Sequence, residues 1–342
     1  MEIKALYHKF NESSSVSTDT RELQKNCMYF ALKGGNFDGN KFVGKAFKEG
    51  AKYCVIDDKE AKLNENCFLV DDVLTTLQKL ATYHRNAIQI PIIALTGSNG
   101  KTTTKELINA VLTTTHKTQA TLGNLNNHIG VPLTLLSFSK DMDFGIVEMG
   151  ANHQKEIQFL CSIVQPDYGL ITNFGKAHLE GFGSIEGIIK AKSELYDYLK
   201  VNDKCAFINT DDTEQTTQIG TYKKTINFGL KLNNDCVVTF AHADPFVSLK
   251  YDDTKINSKL IGAYNYANIA IAVAIGKHFN VSKKNIKKAI ETYQPDNNRS
   301  EIIEKGTTKI ILDAYNANPT SMLAALNNLK QLEADNKYLF LG

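Results

Sequence analysis

Residues 96–106, Thr-Gly-Ser-Asn-Gly-Lys-Thr-Thr-Thr-Lys-Glu, constrain this chain more than any other stretch. They follow the apolar run Ile92-Ile93-Ala94-Leu95 and precede a pattern that puts Leu107, Ile108, Val111 and Leu112 on one helical face. Strand, glycine-rich turn and helix, in that order, build a phosphate-binding loop. Gly97 and Gly100 let the backbone approach an anion and turn N–H groups toward it at a helix N-terminus. Lys101 then reaches the β/γ-phosphates and the Thr102 hydroxyl can ligate Mg²⁺. Ser98, Asn99 and Thr103 complete the expected nucleotide cradle. The common G-x-x-x-x-G-K-[ST] pattern wants glycine at position 95, where Leu95 stands, so the loop is a variant type. A Gly-Lys turn that merely caps a helix is the simpler alternative, and the flanking strand and helix disfavour it.

At 342 residues the chain has room for two or three domains. A formal net charge of +2 points to neither nucleic acid nor an anionic membrane as a bulk partner. Lys283, Lys284, Lys287 and Lys288 read as the solvated face of one helix. Six cysteines, at 27, 54, 67, 161, 205 and 236, show no C-x-x-C and no metal spacing with His, so reduced thiols are expected. The opening MEIKALYHKF has no uninterrupted apolar core, and no stretch approaches eighteen apolar residues. A cytoplasmic chain with no membrane span is the expectation.

Residues 1–88 alternate short strand-like runs (28–32, 53–56, 67–70) with helical stretches (41–49, 73–86), which makes a small α/β domain. Pro91 opens the strand before the loop. From 89 to 297, strand candidates at 92–95, 144–149, 168–173, 205–209 and 237–240 alternate with helices at 101–114, 155–163 and 185–199. That alternation predicts a largely parallel sheet with helices on both faces and ligands at the carboxyl ends of its strands. Residues 235–260 read as a strand-rich excursion with a proline turn. After a loop at 294–299, residues 298–342 read as a strand (309–314), a helix (319–333) and a strand (337–341). One strand-helix-strand cannot bury both faces of its sheet, so this last domain is expected to be incomplete.

Several polar residues interrupt this pattern where ligands belong. Glu148 ends the run Phe-Gly-Ile-Val-Glu, the place for a Mg²⁺ ligand or for a merely solvated strand-end carboxylate. His178 lies on the loop after the next strand and is as readily a surface residue as a ligand. Ile188, Lys192, Leu195 and Leu199 share one helical face, so a lysine sits on an apolar stripe. It either snorkels to water or is buried, and burial disfavours its charged form. A neutral amine can take up carbon dioxide as a carbamate, an anionic metal ligand. Three asparagine clusters, Gly123-Asn-Leu-Asn-Asn-His-Ile-Gly, Ala263-Tyr-Asn-Tyr-Ala-Asn and Asp313-Ala-Tyr-Asn-Ala-Asn-Pro, are more than capping alone readily explains.

Taken together, these motifs resemble the Mur ligases of peptidoglycan synthesis, from about residue 17 to the end of the chain. Ser17-Thr-Asp-Thr-Arg21, Phe30-Ala-Leu-Lys-Gly34 and Asp38-Gly39 resemble the family's uridine-nucleotide domain. The T-G-S-N-G-K-T-T-T-K-E loop separates the family from ordinary P-loop kinases. The G-N-L-N-N, V-E-M-G-A-N and D-x-Y-N-A-N-P-x-S-M segments point to members that add D-alanyl-D-alanine to a UDP-muramoyl-tripeptide. The resemblance implies an α/β fold of three domains. These are a UDP-substrate domain (1–88), a central P-loop parallel-sheet ATPase domain (89–297) and the start of a C-terminal Rossmann-like ligase domain (298–342).

It implies ATP and two Mg²⁺ ions, with Lys101, Glu148, His178 and Lys192 catalytic. Thr102 and Glu148 would hold one metal, and His178 with carbamylated Lys192 the second. Asn268 would contact adenine, Arg299 the γ-phosphate and Asp313 the ribose. Thr18, Arg21, Lys33, Asn126, Asn127 and Asn316 would face the UDP-muramoyl-tripeptide and D-alanyl-D-alanine. Tyr264 departs from the family pattern, which carries His before Asn265. A monomer is expected. Another ATP-dependent amino-acid ligase on the same scaffold is the first rival, and a chain that binds nucleotide and UDP-substrate without turnover is the second.

Overall fold

The computed structural model describes residues 2–177, 179–295, 298–306 and 308–341. The chain divides into two compact units. The first comprises Met1–Ala94, Lys117–Gly150 and Glu156–Asp167, and the second Leu95–His116, Ala151–Lys155 and Tyr168–Gly342.

In the first unit, strands Val16–Ser17, Met28–Phe30, Tyr53–Ile56 and Cys67–Leu69 form a four-stranded sheet in that order, parallel throughout. Such a sheet is covered on both faces, and its strands accordingly read as unbroken apolar runs. Tyr29, Ala31, Val43, Ala46, Cys54 and Ile56 form its core. The helix Val73–Ile88 starts where the Asp72 carboxylate accepts from Thr75 N–H at 2.6 Å and stops where Gln89 turns left-handed (φ +54°). It buries Val73, Thr76, Leu77, Leu80, Ala81 and His84, the three-and-four spacing of one face. This unit also holds the parallel pair Thr118–Ala120 and Phe144–Glu148, and most of the strand Ile92–Thr96.

A buried clamp fixes where that last strand begins. The Arg85 guanidinium, 7% exposed, donates to Val164 O (3.0 Å), Gln165 O (3.0 Å) and Asp167 Oδ2 (2.7 Å). Asp167 Oδ2 in turn accepts from Ile92 N–H at 3.0 Å. One guanidinium thus ties two helix ends to the strand that leads into the phosphate loop.

In the second unit, Tyr168–Ile171, Cys205–Asn209, Thr225–Gly229 and Cys236–Ala243 pair in parallel, in chain order. The sheet continues antiparallel through Phe246–Tyr251 and Thr254–Ile261, the expected strand-rich excursion. The helix Asn265–His278 is buried all round from Ile269 to Gly276 and packs on Lys101–Leu112. There is room at Gly276 for nothing larger, because a Cβ would stand 2.6 Å from Val111 Cγ1. The helix Ile185–Val201 is capped by Ser184 Oγ, which accepts from Gly187 N–H.

The C-terminal residues differ from the strand-helix-strand expectation. Arg299–Lys305 and Thr308–Asp313 form an antiparallel hairpin, followed by the helix Pro319–Gln331. The first hairpin strand was hidden by the polar run around Asn298 and Arg299. No strand forms at 337–341, where Tyr338 and Phe340 are exposed, because a strand needs a hydrogen-bonding neighbour and the hairpin strands pair with each other. The short strands Thr118–Ala120 and Thr225–Gly229 also lie where no strand was expected.

All six cysteines are free thiols and all but Cys205 are buried. Burial raises the thiols of Cys27 and Cys54, and pushes Cys205 up to about 11 and Cys236 to about 12. No helix among the described residues is long and apolar enough to cross a membrane.

Arg85→Ala would strip two carbonyls and a carboxylate of their guanidinium partner. Urea unfolding should show a loss of about 3 kcal/mol, and an unchanged midpoint would remove the clamp from this account.

Candidate functional site

The phosphate loop leaves its strand at Thr96 and turns at Gly97 (φ +142°) and Gly100 (φ +78°) before the helix Lys101–Leu112 begins. Both glycines are required twice over, by backbone angle and by space. A Cβ at 97 would lie 2.0 Å from Thr172 Oγ1, and one at 100 would lie 2.5 Å from Asn268 Oδ1. Leu95 explains the variant pattern: it is a fully buried strand residue, and the turn starts only after it.

The loop is braced from the end of the strand Tyr168–Ile171. Thr172 Oγ1 donates to Asn99 O at 2.6 Å, and Asn173 Nδ2 donates to the same carbonyl at 2.9 Å. Asn99 N–H donates to Asn173 Oδ1 (3.2 Å) and Ser98 N–H to Asn173 O (3.1 Å). Lys101 Nζ folds back to donate to Gly97 O (2.8 Å) and Ser98 O (3.3 Å). Thr102 and Thr103 are buried in the first helical turn.

Behind the loop runs a buried amide relay. Thr104 Oγ1 donates to Asn268 Oδ1 (3.1 Å), Asn268 Nδ2 to Asn265 Oδ1 (2.8 Å) and Asn265 Nδ2 to Ile261 O (2.8 Å). Asn268 therefore supports Gly100 directly.

Among the described residues four buried side-chain polar atoms lack a hydrogen-bond partner: Thr96 Oγ1, Ser98 Oγ, Asn99 Nδ2 and Glu148 Oε2. Such a group costs about 1–3 kcal/mol, so three of them on one loop mark a place built for a ligand.

Lys192 lies within the helix Ile185–Val201 at 2% exposure, so it is buried and does not snorkel. Its Nζ donates to Ala151 O at 3.2 Å and stands 5.2 Å from the Phe182 ring centroid. Arg299 and Asp313 face each other across the C-terminal hairpin, and the Arg299 guanidinium stacks 3.8 Å from the Tyr315 ring centroid. Next to Arg299, Ser300 holds φ +55°, and its Oγ is 2.7 Å from the Tyr264 hydroxyl. Burial raises the Tyr264 phenol. Asn316 is exposed. His178 lies outside the described residues.

The first unit holds the remaining expected residues. Glu148 is 1% exposed at the end of its strand, so the solvated strand-end alternative fails. Its N–H donates to Thr121 Oγ1 (3.0 Å), and its Oε1 accepts from Asn126 Nδ2 (2.7 Å). Asn127 Oδ1 accepts from Ile129 and Gly130 N–H and so starts the helix Gly130–Leu136. Capping thus accounts for part of the asparagine clusters after all. Thr18 is half-buried beside the first strand. Arg21 pairs with Asp19 at 2.5 Å and holds that carboxyl down to about 2. Lys33 pairs with Asp57 at 2.9 Å, which raises the lysine, and buried Asn40 donates to both Asp38 and Asp57.

A divalent cation fits the donor set on one observation: Glu148 keeps a buried carboxylate oxygen with no partner. No three His, Cys, Asp or Glu side chains gather as a cage among the described residues. Mg²⁺ beside a nucleotide uses one or two protein oxygens and takes the rest from phosphate and water. Sequence reasoning missed Thr172, Asn173, Thr104 and Asn318. Thr172 and Asn173 carry the usual signal, polar side chains at the carboxyl end of a parallel strand.

Residues 95–276, from the loop through the helix behind it, match the Mur ligase middle domain. The chain is 36% identical over 334 residues to the UDP-N-acetylmuramoyl-tripeptide–D-alanyl-D-alanine ligase of Bacillus subtilis, covering 96% of this chain and 72% of that protein. It is 34% identical over 327 residues to the ligase of the same name from Escherichia coli, covering 93% and 72%. A crystal structure of MurF from Acinetobacter baumannii superposes with a TM-score of 0.83 at 30% identity, covering 97% of this chain and 76% of that one. The Thermotoga maritima MurF ligase in complex with ADP gives 0.79 at 27% identity, covering 94% and 75%. With the loop, its bracing asparagines and this likeness along nearly the whole sequence, the chain belongs to the Mur ligase family.

Proposed function

We propose that this protein is an ATP-dependent ligase that joins D-alanyl-D-alanine to UDP-N-acetylmuramoyl-tripeptide in the making of peptidoglycan precursors. One observation carries the reading: a phosphate loop with three unpartnered buried polar atoms, inside a sequence 34–36% identical to ligases of that name. Residues 1–88 take the UDP-substrate through Thr18, Arg21, Lys33, Asn126 and Asn127 (the last two from beyond that boundary). Residues 89–297 take ATP, and residues 298–342 bring Arg299 and Asp313 to the nucleotide and Asn316 to the dipeptide. Asn268 lies under the loop and reaches adenine in this reading. Six free cysteines suit the reducing cytoplasm, where ATP is made.

The tripeptide carboxylate attacks the γ-phosphorus, ADP leaves and an acyl phosphate forms. The dipeptide amine then attacks the acyl carbon, phosphate departs, and the nitrogen loses its proton as the amide forms. Gly97–Thr103 hold the phosphates on backbone N–H groups at a helix N-terminus. Lys101, released from Gly97 O and Ser98 O, turns its ammonium onto the charge that builds during transfer. Thr102 would offer its hydroxyl oxygen to Mg²⁺, Glu148 would be a carboxylate ligand for the same kind of ion, and His178 and Lys192 would serve a second ion. Mg²⁺, when bound, supplies neutralisation of phosphate charge. In this reading Lys192 takes up carbon dioxide at its Nζ, losing one proton and gaining a carbamate.

Phosphate release from ATP with UDP-muramoyl-tripeptide should depend on added D-alanyl-D-alanine. Release supported by a different amine acceptor would reassign the substrate. Lys101→Ala is expected to lower that release at least a hundredfold while UDP-substrate binding survives; loss of both would indicate misfolding. Glu148→Gln removes a buried carboxylate that has a partner on only one of its oxygens. Its thermal midpoint should therefore hold or rise while the Mg²⁺ concentration for half-maximal release climbs about tenfold. A lowered midpoint with unchanged Mg²⁺ demand would make Glu148 structural. Carbamylation of Lys192 should give a ¹³C-bicarbonate NMR signal that Lys192→Gln abolishes, and no signal would leave the lysine a cation.

A further inference from the structure

Asn318 opens the helix Pro319–Gln331 and does two jobs at once. Its Oδ1 accepts from Ser321 N–H (3.0 Å), and Ser321 Oγ accepts from Asn318 N–H (3.1 Å), a reciprocal capping box. Its Nδ2 donates to Asn99 Oδ1 at 2.7 Å, across to the crest of the phosphate loop. A second tie, Lys176 N–H to Thr320 Oγ1 (3.2 Å), holds the same helix start in place.

A carboxamide has one acceptor end and one donor end. The cap holds the Oδ1 of Asn318 on the helix start and so turns its Nδ2 toward Asn99. Asn99 must answer with its acceptor, which leaves its own Nδ2 pointing the other way. That Nδ2 is buried, has no partner and lies against Gly175, where a Cβ would stand 2.8 Å from it. The Asn99 backbone cannot adjust, because Thr172 and Asn173 hold its carbonyl and N–H.

We propose that Asn318 is a positioning residue. It sets the orientation of the Asn99 carboxamide so that the loop presents an N–H donor, and not an oxygen, to the terminal phosphate of the nucleotide. The inference rests on the reading of the loop as an ATP site. The helix-capping geometry of the C-terminal segment thereby decides the sign of one dipole at the loop.

Equilibrium binding of ATP and of ADP, measured by titration calorimetry and independent of turnover, tests this. Asn318→Asp keeps a good cap but offers Asn99 only acceptors, so the Asn99 amide should turn over and aim its oxygen at the phosphate. ATP affinity is expected to fall about tenfold or more, with ADP affinity changed less than about twofold. In an Asn99→Ala background the same substitution should add almost nothing, the coupling expected of a shared pathway. An Asn318→Asp protein that binds ATP normally, or loses ATP and ADP equally, overturns the proposal. So does an ATP defect that persists in Asn99→Ala, since it would then be direct charge repulsion. Should Asn318→Asp fail to fold, Asn318→Gly is tolerated at the cap and has no side-chain donor. It should weaken ATP about threefold with ADP spared, and equal losses again overturn the proposal. A wild-type chain that binds neither nucleotide overturns the reading of the loop and this inference with it.

Discussion

The space beside Gly97 and Gly100 is already taken, by Thr172 Oγ1 and Asn268 Oδ1, and the second unit's ligand chemistry depends on that occupancy. A loop that must offer N–H groups to an anion cannot hold its own shape with side chains, because they would fill the cradle. Its shape is imposed from outside. Thr172 and Asn173 come from the end of a parallel strand, while Asn268 comes from a helix that is buried all round from Ile269 to Gly276. The relay from Thr104 through Asn268 and Asn265 to Ile261 O anchors the first turn of the loop helix to that buried element. Preorganisation of this kind is what electrostatic catalysis needs.

The same molecule tolerates polar groups that a stability-first design would reject. Glu148 is buried with one bare oxygen, and Lys192 is 2% exposed on an apolar stripe. Buried charges of this sort weaken a fold unless something pairs with them, and they persist where function requires them. By contrast, the ionic cluster around Arg85 has partners on every side and ties helix ends to a strand start. The Arg85 cluster thus reads as scaffold, while Glu148, with its bare oxygen, marks the site.

The phosphate loop, the Lys192 stripe and the strand-end Glu148 were legible in the sequence because each is a local pattern. Glycine spacing, three-and-four periodicity and an apolar run ending in a carboxylate need no knowledge of distant contacts. What Asn127 and Asn318 do was not legible in the same way. Their acceptors start helices, a local role, while the Asn318 donor finds Asn99 across 219 positions of chain. Sequence order carries no record of that pairing. The strand Arg299–Lys305 was missed for a related reason: it is rich in polar and charged residues, and only pairing with Thr308–Asp313 makes it a strand. Conversely, 337–341 has the composition of a strand and no partner among the described residues. Short strands follow their neighbours more than their own residues.

The thiols carry a practical consequence. With five of six cysteines buried and several of them raised by burial, the native chain offers electrophiles almost no thiolate at neutral pH. Slow reaction with maleimides and iodoacetamides is therefore expected, with half-buried Cys205 the most accessible of the six. A single cysteine introduced at an exposed position, such as Leu323 on the helix that Asn318 caps, is expected to be labelled first. A fluorophore there would follow that helix against the phosphate loop without first stripping the protein of its own sulfur.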